Sequence, residues 1–66
     1  MTDRERLIQL LDDFGAEPSD LSWPSGHTYS EHGNKVILGN GVGYTNFTCA
    51  FTFDEKGNFV EWAVWE

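Results

Sequence analysis

The chain has 66 residues, with eleven acidic and four basic side chains and a net charge of −7 at pH 7. A chain of this length forms a single domain, residues 1–66, with a thin hydrophobic core. The acidic excess argues against direct binding to nucleic acid or anionic membranes, because both depend on Lys and Arg that neutralise phosphates. No apolar run reaches the length of a signal peptide or membrane span, so we expect a cytoplasmic protein.

The N-terminal residues predict a helix from Asp3 to Phe14. Thr2 and Glu5 have the spacing of a capping box, and Gly15 stands where a left-handed residue ends a helix. Apolar residues recur at helical spacing, which predicts a stripe that faces inward. The stripe consists of Leu7, Leu10, Leu11 and Phe14, with Ile8 on its flank.

An acidic cluster is predicted where this helix ends. Asp12 and Asp13 belong to the last helical turn, and Glu17 and Asp20 follow within a few residues. Two interpretations remain open: a solvated surface, or a recognition patch for a basic partner.

Residues Ala16 to Gly26 have the composition of a linker, because Pro18 and Pro24 interrupt regular strand pairing. Trp23 precedes a proline and is therefore expected to be extended. We expect this segment to fold back as a lid over one end of the core. The alternative is that Trp23 is presented to a partner.

Four strands are predicted after the linker, at His27 to Glu31, Lys35 to Leu38, Tyr44 to Phe53 and Phe59 to Glu66. A five-residue turn, with Gly57 able to adopt positive φ, joins the last two. The predicted fold class is α+β, with one N-terminal helix packed on a three- to four-stranded antiparallel sheet that ends in a β-hairpin.

The hairpin is apolar on both faces, and its register decides which face meets the helix. If Phe53 lies opposite Asn58, alternation assigns one set of side chains to the helix and the other to the open face. The predicted helix-facing set is Phe47, Cys49, Phe51, Phe53, Val60, Trp62 and Val64. The predicted open face carries Tyr44, Thr48, Ala50, Thr52, Phe59, Ala63 and Trp65.

Residue types that carry chemistry are present without a supporting arrangement. Strand alternation places His27 and Glu31 on one face and His32 on the other, so we do not expect a metal site. Cys49 lies in an apolar alternation and is expected to be an inert thiol that forms no internal disulfide. No cofactor site is indicated, and we expect no enzymatic activity.

The chain contains three Trp, two Tyr and five Phe, more aromatic side chains than one helix and a small sheet can bury. We predict that Tyr44, Phe59 and Trp65 on the open face contact a partner, since aromatic residues anchor interfaces disproportionately. The alternative is that the Trp23 segment covers this face.

The two ends of the chain resemble a known group of proteins. Met1 to Glu5, followed by Leu7-Ile8, Leu10 to Asp12 and Phe14-Gly15, resembles the opening of short acidic proteins encoded by phages and prophages of gut bacteria. The close, Phe51 to Phe59 and the terminal Trp65-Glu66, resembles their C-terminal hairpin. The resemblance implies an accessory phage protein in a bacterial host cytosol. Small acidic phage proteins are often inhibitors of host enzymes or defence systems, some by imitating nucleic acid.

The sequence therefore favours a non-enzymatic protein that binds a protein partner, in the manner of a counter-defence inhibitor. One alternative is a homo-oligomer that sequesters a small molecule or nucleotide among Trp23, Tyr29, Tyr44 and Trp65. Another is a homodimer with a purely structural role.

Overall fold

The structure, a computed structural model, describes residues 1–42 and 47–65, except for the side chain of Trp65. A single helix in this part of the chain, α1, spans Asp3–Asp13. The predicted capping box is confirmed, because Thr2 Oγ1 accepts from the N–H of Glu5 and Glu5 Oε1 accepts from the N–H of Thr2. Phe14 is the C-cap, and Gly15 follows with φ +87°. Local capping chemistry thus fixes both ends of the helix.

The described residues form one five-stranded sheet in the order β1-β2-β3-β4-β5. Its strands are β1 Glu17–Pro18, β2 Thr28–His32, β3 Lys35–Leu38, β4 Thr48–Phe53 and β5 Phe59–Trp65. β1 runs parallel to β2, and the other neighbours are antiparallel. The α+β class is confirmed, whereas the prediction of three to four strands, all antiparallel, is wrong. The start of the third predicted strand, Tyr44 to Asn46, and the last residue of the fourth, Glu66, lie outside the described residues.

The sequence does not predict β1, because Pro18 is expected to prevent strand pairing. The N–H groups of Glu17 and Ser19 donate to the carbonyls of His27 and Tyr29, at 3.1 and 2.7 Å. Pro18 lies between these two residues, so its backbone nitrogen points away from β2 and out of the sheet. The missing N–H of proline therefore costs no hydrogen bond in this edge strand. A proline is therefore compatible with this short parallel edge strand.

The hairpin register differs from the predicted one by two residues. Phe51 pairs with Trp62 and Cys49 with Val64, and an irregularity at Thr52/Phe53 brings Phe53 opposite Phe59. Trp62 and Val64 keep the predicted face, because a two-residue shift preserves alternation. Phe59 does not: its ring centroid lies 6.1 Å from that of Phe51 and 6.3 Å from that of Phe53. The prediction that Phe59 belongs to the face opposite the helix is therefore wrong.

The core lies between α1 and one face of the sheet. Its buried members are Leu11, Ala16, Tyr29, Val36, Val42 and Phe53, and Leu7, Ile8, Leu38 and Phe51 pack against them. The prediction that the apolar stripe of the helix faces inward is wrong for Leu10 and Phe14, whose side chains are 62% and 61% exposed.

The N-terminal half of α1 is fixed over β2 and the adjoining turn. Arg4 donates to the carbonyl of Gly33 and to Glu31 Oε1, at 2.9 and 3.2 Å. A helix of this length is about 16 Å long and about 10 Å wide, and five strands extend about 19 Å from the first to the last. One helix therefore leaves part of the sheet uncovered.

The segment before β2 lies over the face of the sheet opposite α1, not over the core between α1 and the sheet. Thr28 Oγ1 donates to the carbonyl of Ser25, and His32 Nε2 lies 3.3 Å from the carbonyl oxygen of Leu21. Pro24 of this segment is buried, but the Trp23 side chain is 60% exposed. The segment therefore contacts β2 on this face, while most of the Trp23 side chain is exposed to solvent.

Candidate functional site

The outer edge of β5 carries backbone groups that point away from the sheet. The N–H of Phe53 donates to the carbonyl of Asn34, at 2.8 Å, so the backbone of Phe53 is directed toward β3. Because the backbone N–H and C=O groups of successive residues in a strand point in alternate directions, those of Thr52 and Ala50 point toward β5. The backbone groups of their partners, Glu61 and Ala63, therefore point toward β4.

Trp62 and Val64, the residues that follow each of these two in β5, direct their N–H and C=O groups outward by the same alternation. Within the part of the chain that the structure describes, no strand pairs with this edge. Such an edge is a template for strand pairing unless it is covered or charged.

The start of this edge is already occupied by the helix. Asp3 Oδ2 accepts from the N–H of Phe59 at 2.8 Å, and the N–H of Arg4 donates to the carbonyl of Gly57 at 3.0 Å. The edge that is open to pairing is therefore centred on Trp62 and Val64.

An exposed apolar surface adjoins this edge. Asp3, Leu7 and Leu10 follow one another at helical spacing on one flank of α1, and the Asp3 contact to Phe59 directs the start of that flank toward β5. Phe14, at the far end of the helix, lies instead beside His27, with ring centroids 5.8 Å apart. Trp62 and Val64 share the helix-facing side of the sheet with Phe51 and Cys49. We call this the β5 surface: Leu10, Phe59, Trp62 and Val64.

The predicted acidic cluster lies elsewhere. Glu17 is in β1, at the opposite edge of the sheet from β5. Four strand spacings separate the two edges by about 19 Å, roughly twice the Debye length of about 8 Å at physiological salt. The acidic and aromatic halves of the predicted interface therefore do not form one continuous surface.

The two aspartates at the end of α1 already have partners. Asp12 Oδ1 accepts from the hydroxyl of Tyr29 at 3.1 Å, and Asp13 Oδ1 accepts from Gln9 Nε2 at 3.0 Å. Burial and the bond to Asp12 raise the pKa of Tyr29, so this side chain stays a neutral donor at physiological pH. Asp20 is exposed beyond β1.

The other predicted partner-binding residues are separated from one another. Tyr44 and the side chain of Trp65 lie outside the described residues. Tyr29 is buried against the helix, whereas the Trp23 segment is anchored to the other face of the sheet through Thr28 and His32. Tyr29 and Trp23 therefore do not line a common pocket. Sequence reasoning missed Leu10, Phe14, Trp62 and Val64 as exposed residues, because it assigned all of them to the core.

The two histidines are used structurally. His27 Nδ1 lies 3.0 Å from the carbonyl oxygen of Gly41, and Nε2 lies 3.1 Å from that of Phe14. Since both neighbours are acceptors, they favour the doubly protonated ring and raise the pKa of His27. Glu31 pairs with Arg4 on the same face, and His32 contacts Leu21 on the other, as alternation predicted.

The described residues include no group of His, Cys, Asp and Glu that could hold a metal ion. Burial raises the pKa of the Cys49 thiol, which leaves it weakly nucleophilic near neutral pH. A cleft between α1 and Glu31 is open and lined in part by charged groups from both. The one helix in the described part of the chain is too short to cross a membrane.

Comparison with known proteins gives no further assignment. No protein-family model, curated protein or solved structure matches this chain. The candidate site therefore depends on the geometry of α1 and β5 alone.

Proposed function

We propose that this protein is a non-enzymatic binding protein whose protein partner docks on the β5 surface. The observation that carries the proposal is the concentration of exposed large apolar side chains on α1 and β5. Among the described residues, eight hydrophobic side chains are buried and nine large ones are exposed. Isolated exposed apolar residues are ordinary, but a contiguous group of them usually marks a contact surface.

Trp62 is the expected anchor of this contact. Its side chain is 59% exposed, it lies on the helix-facing side of β5, and tryptophan is enriched among residues that dominate binding energy. Phe59 and Val64 flank it on the same strand and are less exposed. These neighbours would exclude water from a contact centred on the indole.

The charge of the protein favours a basic partner. A net charge of −7 attracts positively charged surfaces over several ångströms and accelerates association at low salt. Glu17 and Asp20 would contribute to this field without touching the docked partner. Proteins that handle nucleic acid carry such basic surfaces. Together with the resemblance to phage-encoded proteins, this supports a role as an inhibitor of a host defence or nucleic-acid-handling protein in the bacterial cytosol.

Two tryptophans offer a matched test of this surface. Trp62→Ala and Trp23→Ala remove the same side chain from positions of nearly equal exposure, 59% and 60%, on different sides of the sheet. Tagged wild-type protein and both variants would be used to capture partners from a bacterial lysate, with circular dichroism confirming that each is folded.

The proposal expects a captured partner that is lost with Trp62→Ala and retained with Trp23→Ala. Loss with Trp23→Ala alone would place the contact on the Trp23 segment and contradict the assignment to β5. A partner retained by both variants would also contradict it. Binding measured with the captured partner should weaken as salt concentration rises.

A further inference from the structure

We propose that two copies of this chain associate through β5, forming an antiparallel pair in which Trp62 of each copy lies opposite Val64 of the other. The inference concerns the backbone edge and does not rest on the proposed function, although Trp62 takes part in both.

The directions of the backbone groups define this register. Trp62 and Val64 each direct one N–H and one C=O outward, and an antiparallel bonded pair exchanges both bonds. When Trp62 faces Val64 of a second copy, symmetry places Val64 opposite the second Trp62, and Ala63 lies next to its own counterpart on the twofold axis. Every outward group of these two residues then meets a complementary group. The edge is self-complementary in this register.

The side chains of β5 suit such a pairing. β5 carries one charged residue, Glu61, although exposed edge strands are normally protected by charge. Glu61 pairs with Thr52 on the face away from the helix, and in the proposed register it lies opposite Trp65 of the second copy. The two like charges are therefore not brought face to face.

The same register joins the apolar surfaces of the two copies. Trp62 and Val64 lie on the helix-facing side, so the indole of one copy becomes the cross-strand neighbour of the valine of the other. Association would thus shelter side chains that a thin core leaves exposed, and self-association is a common way for domains of this size to gain stability. Asp3 occupies the edge at Phe59 and excludes registers that would need that N–H.

Salt distinguishes this association from docking on a basic partner. Each copy carries −7, so the two repel each other at long range, and added salt screens that repulsion. Self-association should therefore tighten with salt, whereas contact with a basic protein should weaken.

Proline substitutions at neighbouring positions test the backbone claim. Val64→Pro removes an outward N–H, which an edge strand tolerates. Ala63→Pro removes an inward N–H that faces β4 and is the matched control, because it should destabilise the monomer itself. Trp62→Lys tests the same edge without proline, since an exposed lysine blocks edge pairing.

Sedimentation equilibrium of the purified protein alone, from about 1 μM to about 100 μM and at about 0.05 M and about 0.5 M salt, gives the readout. We expect a dimer that tightens with salt, and dimerisation weaker by about 10- to 100-fold in Val64→Pro, because symmetry removes the bond twice. Trp62→Lys should be monomeric over the same concentrations and folded by circular dichroism. A wild-type monomer under all conditions would overturn the proposal, and so would a dimer that weakens with salt. A dimer that persists in both Val64→Pro and Trp62→Lys would place the interface elsewhere and overturn it too.

Discussion

Gly57 joins the hairpin turn to the start of the helix, and substituting it should destabilise the protein strongly. Its φ is +86°, in the left-handed region that residues with a Cβ disfavour. A Cβ built at this position would lie 2.8 Å from Thr2 Cβ and 2.9 Å from Thr2 Oγ1. The carbonyl of Gly57 also accepts from the N–H of Arg4. Gly57→Ala therefore strains the turn and pushes against the residue that caps α1.

The two effects can be given magnitudes. The left-handed conformation costs about 1–2 kcal/mol for a residue with a Cβ, and forcing an extra methyl into an occupied space costs about 1–3 kcal/mol. Gly57→Ala should therefore lower the free energy of unfolding by about 2–5 kcal/mol. A domain of this length has a total stability of about 3–10 kcal/mol. The substitution removes a large part of it.

Gly33 provides the control. Its φ is +56°, and a Cβ there would meet nothing within 4 Å. Gly33→Ala should lower the free energy of unfolding by about 1–2 kcal/mol, from backbone strain alone. Urea unfolding followed by circular dichroism and tryptophan fluorescence measures both variants. Equal losses would refute the argument that the turn is pressed against Thr2, and a neutral Gly57→Ala would refute the placement of the helix itself.

Three further predictions follow from the core, the histidine and the thiol. Phe53→Ala should lower the free energy of unfolding by about 3–5 kcal/mol, whereas Leu10→Ala should change it by about 0.5 kcal/mol or less, as measured by urea unfolding; equal effects would contradict the burial of Phe53. The raised pKa of His27 predicts that its contribution to stability is fully present below its ordinary value of 6.5 and is lost as pH rises through the folded-state value. The stability difference between wild type and His27→Gln should thus shrink from about pH 5.5 to about pH 8.5, and a constant difference would contradict this. Cys49 should react with a thiol-specific disulfide reagent more slowly in the folded protein than in urea, and equal rates would show that its pKa is not raised by burial.

The elements that the sequence predicts well are those fixed by neighbouring residues. The capping box at Thr2, the left-handed Gly15 and the turn around Gly57 each depend on contacts or dihedral angles within a few residues. β3 was predicted with the same bounds, because a short β-branched run between turns has few alternatives.

The parts that sequence reasoning did not reach depend on how elements pack. The irregularity at Thr52/Phe53 changes the hairpin register, and no local sequence pattern predicts it. The exposure of Leu10 and Phe14 follows from where α1 lies on the sheet, which helical spacing does not specify. A periodic stripe shows which side chains share a face, but the area available to cover them is a property of the assembled fold.

The hydrogen bond from the N–H of Phe59 to Asp3 joins residues 56 positions apart. During synthesis, α1 leaves the ribosome well before the turn and strand that hold it. Until the last hairpin emerges, α1 lacks this anchor and is held through the contacts of Arg4 and Asp12 with β2 and its turn, and a helix this short gains little stability by itself. Folding is slowed because the entropy of closing so long a loop is lost before the contact forms. The contact that fixes the start of α1 therefore forms only after the residues around Phe59 have been translated.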